Sequence, residues 1–211
     1  MAHRDVQYRA DQRLASFAQR LRKESGRACA IAPLILMSDP RLADIEAAAT
    51  ALPHGSCVIY RHFGAESREM IANSLRQICF ARSHQFLIGN DPELAITCGA
   101  DGVHFAQKSA GQVTLWQARC PDWLLTIAAH DQESVERANA MPVHAVTLSP
   151  IFESDSPSAD SPLGIDAFCA LISRANHPVF ALGGVNSGNF GQLSGTGAAG
   201  IAGVSGIVNR I

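Results

Sequence analysis

Two glycine-bearing segments near the C-terminal end carry the residue types best suited to hold an anion: Phe180-Ala181-Leu182-Gly183-Gly184-Val185-Asn186 and Gly200-Ile201-Ala202-Gly203-Val204-Ser205-Gly206. In each, a short apolar run passes into glycines and then into a turn, so backbone N–H groups at two neighbouring run ends can converge on a phosphate. Glycine lets the backbone approach the phosphate oxygens, where a Cβ would intervene. One such pair would be read equally well as a tight turn. Two in series favour the anion.

Further polar residues stand just past the ends of other apolar runs: Asp39, Arg61 with His62, Asn90 with Asp91, His104 with Gln107, His130, and Ser149 with Glu153. An arginine ending a buried run requires an anionic partner. An imidazole that titrates near neutrality suits proton transfer. Together these residues describe a pocket for a small phosphorylated substrate undergoing acid/base chemistry. Several also have purely structural uses. Asp91 before Pro92 suits a helix cap, Asp101-Gly102 suits a turn, His104 suits a hydrogen-bonded core histidine, and His130-Asp131 suits a helix start.

The elements that must position them follow from hydrophobic patterning. Short, continuously apolar runs occur at 33–37, 57–61, 86–89, 102–105, 124–128, 145–148, 179–182 and 200–204. Helical patterns separate them at 41–51, 65–83, 92–98, 112–119, 132–140, 165–175 and 187–193, with a short terminal turn at 205–210. Apolar runs that do not alternate imply a parallel sheet covered on both faces. The alternation therefore predicts an α/β chain forming a single (β/α)8 TIM barrel across 1–211. Residues 1–28 form an N-terminal helical extension and 29–211 the barrel. The extra helix, 11–24, aligns Leu14, Phe17, Ala18 and Leu21 on one face, suited to plugging the barrel bottom or to a homodimer interface. A Ser/Asp/Pro-rich stretch at 154–163 reads as a lid or binding loop.

Composition narrows the function classes. The 211 residues are 47% hydrophobic and 17% charged, with formal net charge -2 and no basic run. Nucleic acid and anionic membrane are therefore unexpected partners. The six cysteines form no CxxC pair, the N-terminal region has no apolar core of a signal peptide, and no apolar stretch approaches a membrane span. These features predict reduced core cysteines and a cytoplasmic protein.

The segments 87–91, 99–107, Ser149-Pro150-Ile151-Phe152, Pro162-Leu163-Gly164, 178–186 and 197–205 occur together in one order. By them the chain resembles thiamin phosphate synthase and its relative TenI, phosphate-binding barrels of thiamin biosynthesis. The resemblance covers about residues 33 to 208. It implies that Gly183, Gly184, Gly203, Val204 and Ser205 hold the substrate phosphate. Arg61, Asn90, His104, Glu153, Ser154 and Ser156 contact the rest of a phosphorylated heterocycle. For the TenI-like activity the resemblance implies His130 as the acid/base.

Within that resemblance the chain departs from the synthase pattern. The family's second strand ends Gln-x-Arg-x-Lys, against Ile59-Tyr60-Arg61-His62-Phe63 here. Its sixth loop reads roughly Pro-Thr-x-Thr-Lys, against Glu153-Ser154-Asp155-Ser156-Pro157, and Ala128 replaces a serine. Its magnesium site uses an aspartate at Asp91 and another at the position of Ser109. Lost lysines and added acids disfavour a pyrophosphate. The expectation is a TenI-like thiazole phosphate tautomerase that needs no cofactor. The alternatives are a divergent thiamin phosphate synthase, with magnesium at Asp91, and a non-catalytic phosphate-ligand binding or regulatory protein.

Overall fold

The computed structural model describes residues 6–64, 67–154 and 161–211. In chain order the elements are β1 (Tyr8–Ala10), α1 (Gln12–Ser25), β2 (Leu34–Met37), α2 (Ile45–Ala51), β3 (Cys57–Tyr60), α3 (Arg68–Ala81), β4 (Gln85–Gly89), α4 (Pro92–Thr97) and β5 (Gly102–Phe105). There follow α5 (Val113–Arg119), β6 (Leu124–Ala129), α6 (Gln132–Ala138), β7 (Ala145–Leu148), α7 (Gly164–Ile172), β8 (Val179–Ala181), β9 (Gly200–Gly203) and β10 (Val208–Arg210). Strands β2 to β9 form a closed, all-parallel barrel, in which β9 returns to pair with β2. The predicted eight-stranded barrel is the observed one.

Side-chain alternation divides each barrel strand between two cores. Ile35, Met37, Cys57, Ile59, Leu87, Ala145, Phe180 and Ala202 fill the interior. Leu34, Leu36, Val58, Ile88, Val103, Leu125, Val146 and Ile201 instead pack under the helices. Because both faces are dry, the strands read as unbroken apolar runs rather than alternating ones. Cys57, Cys79 and Cys98 are buried, and all six thiols are free.

Helix α1 starts at Asp11, whose carboxylate accepts from the backbone N–H groups of Arg13 and Leu14, and stops at Gly26 in the left-handed region. Its buried face comprises Leu14, Ala15, Phe17, Ala18 and Leu21. The helix packs on β9 and β2. Arg22 on α1 donates to the carbonyls of Cys29, Ile31 and Ala199, tying the helix to the chain just before both strands. Leu14, Phe17, Ala18 and Leu21 join the layer between strands and helices rather than the barrel interior, so α1 covers the flank of β9 and β2 instead of plugging the bottom.

Several local expectations are corrected. The terminal turn expected at 205–210 holds for 205–207, but Val208–Arg210 is a strand, β10, paired antiparallel with β1, a short ribbon that alternation over so few residues does not signal. The helix expected at 187–193 is reduced to a 3-10 turn at Phe190–Leu193, because Asn186 and Asn189 satisfy the preceding backbone with side-chain bonds. A 3-10 helix at Gln107–Gln112 precedes α5. The stretch 155–160, and with it Ser156 and most of the expected lid, lies outside the described residues. Among the described residues no helix is long and apolar enough to cross a membrane.

Gly102 is a tight point of the barrel wall, where a Cβ would collide with the carbonyl group of Leu124 on the neighbouring strand. Gly102→Ala is expected to lower the unfolding free energy by about 3 kcal/mol through overpacking, read from the urea midpoint at constant slope.

Candidate active site

Where β2 to β9 end, their loops enclose a cavity of about 390 Å³. Of the strand-end residues read from sequence, Arg61, Asn90, His104, Gln107, His130, Ser149, Glu153, Gly183, Gly184 and Ser205 line it, together with Ser154, Gly203 and Val204. Asp39, His62 and Asp91 do not. His62 instead packs edge-on against Tyr60, with their ring centroids 5.3 Å apart.

The turns after β8 and β9 supply backbone donors. The amides of Gly184, Val185, Val204, Ser205 and Gly206 bond to no protein acceptor among the described residues, and all five residues line the cavity. Gly183 and Gly184 have φ of +93° and +69°, which favour glycine. A Cβ on Gly184 would also strike the Glu153 carbonyl, and one on Gly183 would come within 2.8 Å of Pro150. These glycines therefore serve the packing of the β7–α7 loop as well as the turn.

Next to β9 in the closed barrel come β2 and β3, and here the cavity wall is cationic. Arg61 follows β3. Its backbone N–H donates to Ser38 Oγ at 2.6 Å and its Nε to the Ser38 carbonyl at 3.1 Å. Asp39 Oδ2 lies 4.0 Å from Arg61 Nη2. Burial pushes the Arg61 guanidinium down from its usual range and Asp39 offsets this in part, yet an arginine stays protonated. Gly89 makes room for it, since a Cβ there would press on Arg61 Cγ at 2.8 Å. Asp39 is gripped by Arg41, Nε to Oδ1 at 2.7 Å and Nη2 to Oδ2 at 3.1 Å. That grip holds the carboxylate below its usual range. Arg41 also lines the cavity. Sequence reading missed it, because Asp39-Pro40-Arg41 has the composition of an exposed turn.

The remaining rim is neutral or acidic. His104 projects into the barrel, 5% exposed, with Nδ1 2.9 Å from Thr126 Oγ1. Desolvation, then the nearby Arg61 and His130, push its pKa down to about 3, so the ring is neutral. Asn90 adopts φ +54°, which asparagine tolerates. Its N–H donates to the His104 carbonyl at 2.8 Å and its Oδ1 accepts from Ala106 at 3.3 Å. His130 Nδ1 sits 2.8 Å from the Ser149 carbonyl and 3.3 Å from Ser149 Oγ. A carbonyl only accepts, so Nδ1 carries the proton, and in the neutral ring Nε2 holds the lone pair of a base.

Asp91 acts chiefly as a cap. Its Oδ1 accepts from Leu94 N at 3.0 Å to start α4, while Oδ2 pairs with Arg68 Nη1 at the start of α3. The implied magnesium site thus has one carboxylate with both oxygens engaged, and a serine, Ser109, at the second position. Among the described residues no three His, Cys, Asp or Glu side chains form a group able to hold a metal. The residues do not fit the ion. Arg68 was also missed, since an arginine in the first turn of an amphipathic helix is indistinguishable by spacing from a solvated one.

A family model described as thiamine monophosphate synthase matches residues 34–207. A thiamine-phosphate synthase of Prochlorococcus marinus is 30% identical over 167 residues, covering 78% of this chain and 48% of that protein. A putative thiamine-phosphate synthase of Geobacter sulfurreducens is 28% identical over 146 residues, covering 68% of each. The chain spans about half the length of the Prochlorococcus and Synechocystis relatives it matches. The solved thiamine phosphate pyrophosphorylase from Pyrococcus furiosus superposes with a TM-score of 0.71 at 23% identity, covering 82% of this chain and 85% of that one.

Burial makes two histidines a source of pH dependence: His104 in the cavity, and His84 just before β4, whose ring meets Ser56 and Ala49. His104, with a pKa of about 3, and His84, pushed down to about 4 by desolvation, are neutral when folded and accept protons near pH 6.5 when unfolded. Their folded values lie below the unfolded ones, so their contribution is complete above pH 6.5 and is lost as pH falls towards 4. Between pH 6.5 and 5 each is expected to remove up to about 2 kcal/mol of stability. Urea unfolding at pH 7 and pH 5 should show this, with the pH slope shallower in His104→Gln.

Proposed function

This chain belongs to the thiamine monophosphate synthase family, and we propose on that premise that it joins a pyrimidine diphosphate to a thiazole phosphate. The observation that carries this reading is the run of anion-holding groups along four successive strand ends. The amides after β8 and β9, which bond to no acceptor among the described residues, continue through Arg41 after β2 to Arg61 after β3. One phosphate needs only the glycine turns. A further cationic stretch beside them suits a second, more highly charged substrate, and Arg41 offsets in part the lysines the chain lacks. The relatives named thiamine-phosphate synthase support the same reading.

In this reading the amides of Gly184, Val185, Val204, Ser205 and Gly206 hold the thiazole phosphate. Arg61 and Arg41 hold the diphosphate, with Asn90 beside them. As the bond between the pyrimidine methylene carbon and the diphosphate oxygen breaks, the electron pair leaves with the diphosphate. The guanidiniums stabilise that growing charge in a partly desolvated site. The thiazole nitrogen then supplies its lone pair to the methylene carbon, forming the new C–N bond. Neutral His104 completes the pocket floor without adding charge.

A second reading, proton transfer within a thiazole carboxylate phosphate, is favoured by His130, whose Nδ1 bond to Ser149 leaves Nε2 as base. The two readings separate by experiment. Purified protein incubated with both phosphorylated substrates should form thiamin phosphate, measured after oxidation to its fluorescent product. Arg61→Ala should slow it about a hundredfold, and His130→Ala by less than tenfold. No thiamin phosphate, together with a tautomer absorbance change abolished in His130→Ala, would replace the first reading with the second.

A further inference from the structure

We propose that Arg68 is a built-in cation that takes over the acidic position of the implied metal site, so that this pocket binds its anionic ligand without a divalent ion. The proposal rests on the two-substrate reading of the pocket as an anion site. Both carboxylate oxygens of Asp91 are committed, one to the first turn of α4 and one to Arg68. A divalent ion would have to displace a guanidinium that is itself firmly seated. Arg68 Nη2 donates to the Gly89 carbonyl at 3.3 Å, and its guanidinium carbon lies 5.9 Å from the Tyr60 ring centroid and 5.4 Å from that of Phe63. Its side chain is only 16% exposed.

The position is adjacent to the pocket. Phe63, Gly89 and Asn90, which touch or neighbour the Arg68–Asp91 pair, all line the cavity. Arg68 itself stands behind these lining residues, its Nε buried and without an acceptor among the described residues. Arg68 thus cancels the Asp91 charge that would repel an anionic ligand at this corner, which offers a metal neither a free carboxylate nor a second one.

The test uses the full-length protein and two probes, manganese(II) for the metal and inorganic pyrophosphate for the anion. Manganese added to wild type should remain free by its paramagnetic resonance signal. Pyrophosphate affinity by calorimetry should change less than about twofold between EDTA and magnesium. Arg68→Gln, with native circular dichroism, should weaken pyrophosphate in EDTA about tenfold, the loss of one charge-assisted interaction, and Arg68→Lys should restore part of it. Stoichiometric manganese binding by wild type that is lost in Asp91→Asn would overturn the proposal, as would tenfold tightening of pyrophosphate by magnesium or an unchanged affinity in Arg68→Gln. If wild type binds no pyrophosphate under either condition, the two-substrate reading of the pocket fails. The manganese titration, which needs no variant and no substrate, still decides the claim about the metal.

Discussion

The pairing of β9 with β2 is the interaction on which the rest of this molecule depends. Leu34, Ile35 and Leu36 lie opposite Ile201, Ala202 and Gly203, and this ladder alone turns an open sheet into a closed one. Closure gives every barrel strand two neighbours, removes the barrel's edges, and creates an interior that Ile35, Met37, Ile59, Leu87 and Phe180 can fill. It also sets the order of loops around the rim. Only because β2 follows β9 do Arg41 and Arg61 stand beside the amides of Val204 and Ser205. Arg22, reaching from α1 to carbonyls on both sides of the seam, reinforces the same junction.

The second constraint is the cost of dry charge. Partly buried guanidiniums here are held by oxygens at short range: Arg61 by Ser38 and Asp39, Arg68 by Asp91 and Gly89, and Arg22 by three carbonyls. Histidines that have no anionic partner, His104 and His84, remain neutral instead. The site therefore separates into an anion-holding half after β8, β9, β2 and β3 and a half without arginines carrying His104, His130, Ser149 and Glu153. A phosphorylated heterocycle would find its charge compensated on one side and a base on the other.

Much of this architecture was legible in the residues. Unbroken apolar runs such as Ala145–Leu148 mark strands buried on both faces, and Asp91-Pro92 marks the start of α4. The phosphate-type turns at Gly183-Gly184 and Gly206 stand out because glycine is needed where φ is positive or backbones approach. The β1–β10 ribbon was not legible, since three residues carry no period. Nor were Arg41 and Arg68, because an arginine in a turn or in a first helical turn looks the same whether it faces water or a cavity.

The amino-acid sequence by itself determined the (β/α)8 architecture, the two glycine turns and the set of polar residues at the strand ends, because these depend on local period and backbone freedom. Tertiary structure alone decided which of those residues share a cavity and in what ionic state. Asp91 became a cap and ion-pair partner rather than an open ligand, His62 turned away, and Arg41 turned in. The physical reason is that charge and coordination depend on distances between residues far apart in the chain. Those distances exist only once β9 has closed on β2.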